Sequence, residues 1–162
     1  MLQRKVCLVG SFAVGITSLL QRFVYSRFSD KYLTTVGVKI DRKIVATSEG
    51  SVRLILWDLA GEDEFQSLQT SFLRGAAGFV VVIDSTRNET LQQARSHLDY
   101  LEEEYPKAAK VIFANKADLE NSWDLETDEL NRLEKRFTVF RTSAKTGHSV
   151  EEAFHALADK MS

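Results

Sequence analysis

The sequence predicts a doubly wound α/β domain, with a six-stranded, mostly parallel sheet, one antiparallel edge strand and five helices covering both faces. Short apolar, β-branched runs recur roughly every 25 to 30 residues, and stretches with helical periodicity separate most of them. Strands that are apolar on both faces and alternate with helices are typical of a parallel sheet covered on both sides. The predicted strands are residues 6–9, 38–46, 52–57, 79–83, 111–114 and 138–140.

The elements between these strands are predicted in chain order. The first helix covers residues 17–24, directly after a glycine-containing loop. Strands 38–46 and 52–57 are separated by a short turn at Glu49 and Gly50, which predicts an antiparallel hairpin at one edge of the sheet. The later helices present apolar faces, and Pro106 ends the third helix of the chain. These faces consist of Leu91, Ala94, Leu98 and Leu101, then Leu125, Leu130 and Leu133, then Ala153, Phe154, Leu157 and Ala158.

Length, charge and cysteine content narrow the class of protein. A chain of 162 residues with a net charge of −2 predicts a single domain over residues 1–162, which we expect to be a monomer. Basic and acidic residues are mixed throughout, which argues against a nucleic-acid surface. The lone Cys7 cannot form an internal disulfide, and no apolar span or secretory leader is found. We therefore expect a cytoplasmic protein without a membrane anchor in this chain.

Residues 10–17, with the sequence GSFAVGIT, have the glycine spacing of a phosphate-binding loop. Gly10 and Gly15 would let the backbone wrap around an anion, and the helix that follows would direct free N–H groups towards it. The lysine expected in such a loop is missing, because Ile16 occupies its position. This stretch alone is therefore consistent with either a nucleotide site or an ordinary glycine-containing turn between strand and helix.

Polar residues also follow three later strands. Asp58 follows the third strand and could reach a hydrated metal ion, and Gly61 could bring a bare backbone close to a phosphate. Asp118, in residues 115–118, is suited to the paired N–H donors of guanine, which adenine lacks. Small residues at 142–145 could bring a backbone N–H to a base carbonyl. Taken singly, these could be a helix cap, a turn and a loop, but four motifs in order at strand ends favour a nucleotide site.

Together with residues 32–38, 57–61 and 72–76, these motifs resemble those of small Ras-like GTPases, nearest to the Rab branch, over essentially the whole chain. The resemblance implies the P-loop GTPase fold, GTP or GDP as ligand, and Mg²⁺ bound by Thr17 and Thr35 directly and by Asp58 through water. It implies catalytic roles for Thr35, Gly61 and Glu62. The implied nucleotide-binding residues are Gly10, Ser11, Phe12, Ala13, Val14, Gly15, Ile16, Thr17, Ser18, Phe28, Tyr32, Thr35, Asp58, Gly61, Asn115, Lys116, Asp118, Ser143, Ala144 and Lys145.

The implied function is a molecular switch in signal transduction that hydrolyses GTP to GDP and contacts effectors and regulators through residues 28–38 and 59–75. Two positions depart from the family pattern: Ile16 replaces the loop lysine, and Glu62 replaces a glutamine that orients water. Slow hydrolysis is therefore expected. The alternative is a pseudo-GTPase, a binding module with weak nucleotide binding or no turnover. An ATP- or dinucleotide-binding enzyme is disfavoured by Asp118 and by the lack of a Gly-x-Gly-x-x-Gly turn.

Overall fold

The computed structural model describes residues 1–11, 13–26, 38–59 and 70–161. In this part of the chain, six strands form one sheet in the order β2-β3-β1-β4-β5-β6. All neighbouring pairs are parallel except β2 with β3. The predicted mostly parallel sheet with one antiparallel edge strand is therefore confirmed. The strands are β1 (Leu2–Gly10), β2 (Lys39–Thr47), β3 (Gly50–Asp58), β4 (Gly78–Asp84), β5 (Ala109–Asn115) and β6 (Thr138–Arg141).

The described residues contain five α-helices, as predicted: four lie between strands and the fifth follows the last strand. They cover both faces of the sheet: α1 and α5 pack on one face, and α3 and α4 on the other. A short 3₁₀ turn at Glu120–Ser122 precedes α4. The helices are α1 (Ile16–Tyr25), α2 (Thr70–Leu73), α3 (Asn88–Glu104), α4 (Thr127–Arg136) and α5 (Val150–Lys160).

Strand β1 shows why an apolar run forms a central strand. Val6 and Leu8 point into the core under α1 and α5, whereas Cys7 and Val9 point into the core under α3 and α4. Successive side chains of a strand face opposite sides, so a strand covered on both faces must be apolar at every position. Burial also raises the pKa of the Cys7 thiol to about 12, which keeps the thiol protonated.

The antiparallel hairpin forms where the sequence predicts it. Thr47 pairs with Gly50, and the backbone of Gly50 has a φ of 116°, a conformation that side chains rarely adopt. The outer strand β2 alternates between buried and exposed residues, as expected for an edge strand with one covered face.

One element differs from the prediction. Leu125 is expected to lie on a helical face with Leu130 and Leu133, but α4 begins only at Thr127. Leu125 is nevertheless buried, in an extended segment before the helix. The preceding residue anchors this segment, because the Asp124 N–H donates to Ser85 O at 2.8 Å. An extended backbone can therefore bury this side chain as well as a helix can.

The topology places a crevice at the carboxyl end of β1. From β1 the chain crosses to β2 and β3 on one side, and from β3 it returns to β4 on the other side. Ligands of open α/β sheets bind at such a switch point, beyond the carboxyl ends of the strands. The predicted phosphate loop, residues 10–17, begins at this end of β1. Among the described helices, none has both the length and the apolar character that crossing a bilayer requires.

Candidate functional site

Residues 10–17 fold as a tight loop from β1 into α1, apart from Phe12, which lies outside the described residues. Gly10 has no room for a side chain, because an added Cβ would lie 2.7 Å from Val82 O. Gly15 has a φ of 103° and accepts the first helical hydrogen bond from the Leu19 N–H at 2.9 Å. The N–H groups of the first helical turn then have no partner within the helix and face the loop, which suits an anion.

The hydroxyl of Ser11 joins this loop to α3. Ser11 is buried, and its Oγ donates to Oε1 of Gln93. Sequence reasoning missed Gln93, because its partner lies on another element and no spacing rule connects the two residues. Ser18, in contrast, is half-buried in the first turn of α1, beside Thr17.

Ile16 lies in the hydrophobic core and not on the open side of the loop. Its side chain is 1% exposed and belongs to the core cluster that includes Val14 and Leu20. Its Cδ1 lies 3.5 Å from the position that a Cβ on Gly10 would take. The residue at the position predicted for the loop lysine therefore packs in the core and offers no charge to a phosphate.

Thr17 and Asp58 meet beside the loop. The Thr17 Oγ1 donates to Oδ2 of Asp58 at 2.8 Å, and Asp58 is fully buried at the end of β3. A hydroxyl and a carboxylate fit Mg²⁺, which prefers oxygen ligands and usually takes only one or two carboxylates besides water and phosphate oxygens. No cluster of three or more His, Cys, Asp or Glu residues occurs in the described part of the chain. This pair is therefore the candidate magnesium site.

Asn115 connects the predicted guanine motif to the phosphate loop. Its Nδ2 donates to Val14 O at 3.0 Å, and its Oδ1 accepts from the Thr142 hydroxyl at 3.3 Å. Asn115 is 2% exposed, and an added Cβ on Gly15 would lie only 2.3 Å from its Nδ2. One buried amide thus fixes the loop after β1 relative to the loop after β6.

Asp118, predicted to recognise guanine, lies in the loop after β5 and contacts the loop after β6. It is exposed, and its Oδ1 accepts from Ser143 Oγ at 2.7 Å. The Ser143 hydroxyl also accepts from the Thr146 N–H at 3.1 Å, which orients it towards the aspartate. The carboxylate is thereby held in place while still open to solvent. An ionised carboxylate only accepts hydrogen bonds, so it can pair with the adjacent N–H donors of guanine.

Lys116 is held by a residue that the sequence analysis missed. Its Nζ contacts Oδ2 of Asp84 at 2.8 Å and Ala13 O at 3.3 Å. Burial alone would raise the pKa of Asp84, but hydrogen bonds from Lys116, Thr86 and Arg87 hold this pKa below its ordinary value. Asp84 thus remains ionised and positions Lys116. The signal was present, because Asp84 is another carboxylate that directly follows an apolar run, at residues 79–83.

The segment after β6 is fixed by α1. The Arg22 Nε donates to Ala144 O at 2.8 Å, and Arg22 Nη2 donates to Lys145 O. Ala144 is buried and Lys145 is exposed. The helix that follows the phosphate loop therefore also holds the loop predicted to contact the base.

The structure brings together three of the four predicted motifs: the phosphate loop, residues 115–118 and residues 142–145. Asp58 joins the same cluster through Thr17. The other predicted site residues lie outside the described part of the chain, as do most of the two segments predicted to contact partners. These residues are Phe12, Phe28, Tyr32, Thr35, Gly61 and Glu62.

Comparison with known proteins identifies the family. A sequence model of the Ras family matches residues 5–162. Ras-related protein Rab-13 of Rattus norvegicus is 31% identical over 157 residues, which cover 95% of this chain and 77% of that protein. Ras-related protein Rab-3C of Mus musculus is 32% identical over 158 residues, covering 96% and 70%. The chain therefore belongs to the Ras family and is a Ras-like small GTPase of the Rab branch.

Proposed function

We propose that residues 1–162 form a single GTPase domain that works as a molecular switch, binding GTP and GDP with Mg²⁺ and hydrolysing GTP slowly. Family membership supports the class of function, and the proposal adds which residues carry it out and how fast turnover is. The residues that select guanine and those that surround the phosphates have separate tasks, and only the second set departs from the family pattern.

The observation that carries the proposal is the contact between the two halves of the site. Asn115 bonds to Val14 O and Lys116 to Ala13 O, so the guanine motif holds the phosphate loop in shape. These bonds do not involve the side chain of Ile16, which points into the core. We infer that the loop keeps its anion-binding backbone without its lysine. Ligand affinity then depends more on base recognition by Asp118.

Mg²⁺ would be held by Thr17 and Asp58, with Thr35 as the further direct ligand that the family resemblance implies. The ion would neutralise charge on the β- and γ-phosphates. Thr17 would offer an oxygen lone pair to the ion while its hydroxyl still donates to Asp58, and Asp58 would orient a bound water. Thr35 and the backbone N–H of Gly61 would depend on the γ-phosphate for their position, so loss of that phosphate would change the surface that partners recognise.

Slow hydrolysis follows from Glu62 and Ile16. A glutamate can accept a hydrogen bond from the attacking water but cannot donate one to the phosphoryl oxygens, and its negative charge opposes theirs. The missing lysine removes a positive charge that would stabilise the transferring group. Each change lowers the rate of the chemical step by a separate route.

A second candidate function is a pseudo-GTPase, and the burial of Ile16 favours it. Losing one partner of a close charge pair costs about 2 to 5 kcal/mol, or roughly 30- to 4,000-fold in affinity. A site weakened this far could be empty at cellular nucleotide concentrations. The chain would then act as a binding module without turnover.

Nucleotide content distinguishes the two functions. Purified protein and the Ile16→Lys variant are denatured, and the released nucleotide is identified by chromatography. Stoichiometric GDP in the parent protein supports binding with turnover, whereas bound GTP supports binding with hydrolysis blocked. An empty parent and a loaded variant would identify a pseudo-GTPase disabled by Ile16. No guanine nucleotide in either protein would contradict the switch function and would show that Ile16 alone does not empty the site.

The rate proposal has its own test. Single-turnover hydrolysis of GTP is compared between the parent and Glu62→Gln, with Glu134→Gln as a control that removes the same charge from an exposed position on α4. We expect faster hydrolysis only in the Glu62 variant. A rate that is unchanged or lower in that variant would show that Glu62 does not limit turnover.

A further inference from the structure

A cavity of about 890 Å³ lies at the edge of the sheet opposite the phosphate loop. It is lined by residues at the start of the strands: Arg4 in β1, Ala77 before β4, Ala109 in β5 and Phe137 before β6. The nucleotide motifs lie at the other ends of these strands. The volume is within the range of about 300 to 1,000 Å³ that is typical of small-molecule sites.

The charge of the cavity is strongly one-sided. Its charged lining residues are Arg4, Glu102, Lys107, Lys110, Arg136 and Lys160. Five of these are cationic and one is anionic, although the whole chain has 21 basic and 23 acidic residues. Basic residues are therefore concentrated here in a chain that is acidic overall, and neighbouring cations repel one another unless an anion lies between them.

The cations differ in how far they are already paired. The Lys110 side chain is 2% exposed, and its Nζ lies 3.0 Å from Oε1 of Glu102. Arg4 donates from Nε to Met161 O at 2.9 Å, which fixes its guanidinium beside the cavity without neutralising it. Lys107 and Lys160 are exposed and make no ion pair with any residue that the structure describes. Lys110 and Arg4 are thus held in place at the cavity, whereas Lys107 and Lys160 add exposed charges to it.

Helix dipoles could also account for these cations, so the negative charge of the helix ends must be compared with the positive charge of the cavity. The carboxyl ends of α3, α4 and α5 lie at this edge, and each contributes about half a negative charge that cations stabilise. The three ends together offset only about 1.5 of the four net positive charges. Arg136 has a further partner in Asp99, at 3.7 Å, but both side chains are at least half exposed and the pair is weak. A positive excess remains.

We propose that this cavity binds a ligand that carries several phosphate groups. Guanidinium groups pair with phosphate oxygens in a planar, bidentate way, and lysine ammonium groups add mobile charge at the rim. Such phosphates occur both in soluble inositol phosphates and in phosphoinositide lipid headgroups. Their shared chemistry is what the cavity recognises.

The test uses inositol 1,4,5-trisphosphate as the soluble probe, measured by calorimetry with excess GDP and Mg²⁺ present. Neutralising the two exposed cations in Lys107→Gln/Lys160→Gln should weaken binding about 3- to 30-fold, as expected for two exposed charge contacts. The control Arg42→Gln/Lys135→Gln removes the same charge from exposed positions that do not line the cavity, and it should change affinity less than about twofold. Melting temperatures verify that both variants fold.

A vesicle arm distinguishes the two sources of phosphate. Sedimentation with phosphatidylcholine vesicles, with and without phosphatidylinositol 4,5-bisphosphate, shows whether a headgroup in a bilayer can enter. Binding of both the soluble probe and the phosphoinositide vesicles identifies a lipid headgroup, and binding of the soluble probe alone identifies a soluble ligand. The proposal is overturned by absence of trisphosphate binding, by equal weakening in both double variants, or by no weakening in the Lys107/Lys160 variant.

Discussion

The substitution Ile16→Lys should have opposite effects on the empty and the nucleotide-bound protein. The Ile16 side chain is 1% exposed, and burial of such a side chain stabilises a protein by about 1.5 to 3 kcal/mol. A lysine at this position must direct its ammonium group out of the core. We therefore expect the free energy of unfolding of the empty protein to fall by about 1 to 3 kcal/mol.

The bound protein should gain from the same change. Restoring a charge beside the phosphates should raise GTP affinity about 30- to 4,000-fold, the range given by a close charge pair of 2 to 5 kcal/mol. Denaturant unfolding with EDTA measures the empty protein, and calorimetry with Mg²⁺ and GTP measures affinity. Ile16→Gln is the matched control, because it removes the buried side chain and adds no charge.

Two results would contradict the expected loss of stability and gain of GTP affinity. An empty lysine variant as stable as the parent would mean that the burial of Ile16 contributes little to the loop. Equal GTP affinities in the lysine and glutamine variants would mean that a charge at this position does not reach the phosphates. The first result would remove the packing role assigned to Ile16, and the second would remove the proposed loss of phosphate affinity.

Three further substitutions test other parts of the site. Gly15→Ala should lower the free energy of unfolding by about 1 to 3 kcal/mol, and by more than Gly50→Ala does. Both positions have positive φ, but only at Gly15 would the new Cβ meet Asn115, at 2.3 Å. Equal losses in denaturant unfolding would exclude that clash. Asp84→Asn should cost about 1 to 2 kcal/mol at pH 7, since its cationic partners are each 35% exposed and partly screened by solvent. Because the pKa of Asp84 is lowered in the folded protein, its ionised carboxylate stabilises the fold above the ordinary pKa of 3.8, and this stabilisation is lost as the pH falls further. The free energies of unfolding of parent and variant should therefore converge in acid. A difference that stays constant with pH would contradict this. Thr17→Val should raise the Mg²⁺ concentration needed for GTP binding, and an unchanged titration would exclude Thr17 as a ligand.

The sequence was sufficient to predict the sheet, because strands covered on both faces need unbroken apolar runs such as 79–83. The edge hairpin was predictable because Gly50 supplies the positive φ that its turn requires. The start of α4 was not predictable. Leu125 is as well buried in an extended segment as it would be in a helix, so its apolar character does not distinguish the two conformations.

The sequence predicted polar residues that the fold brings together at strand ends, but it predicted less of the contacts that support them. Asp118 and Asn115 are polar groups at a strand end, which is where ligands bind in this class of sheet. Asp84, which holds Lys116, also follows an apolar run and could have been found by the same rule. The contact of Arg22 with the backbone of Ala144 is long-range and leaves no spacing pattern. The sequence also does not show which way the Ile16 side chain points, because an isoleucine could pack inward or remain beside the phosphates.

The most direct test of the central claim is calorimetry of GDP, GTP and ADP binding in the presence of Mg²⁺, with the parent protein and with Ile16→Lys. If Asp118 selects guanine, both proteins should prefer GDP to ADP by about 10⁴-fold, as expected of a site built to pair with specific donors. The lysine should strengthen binding without changing that preference. Equal affinities for GDP and ADP in both proteins would contradict the account.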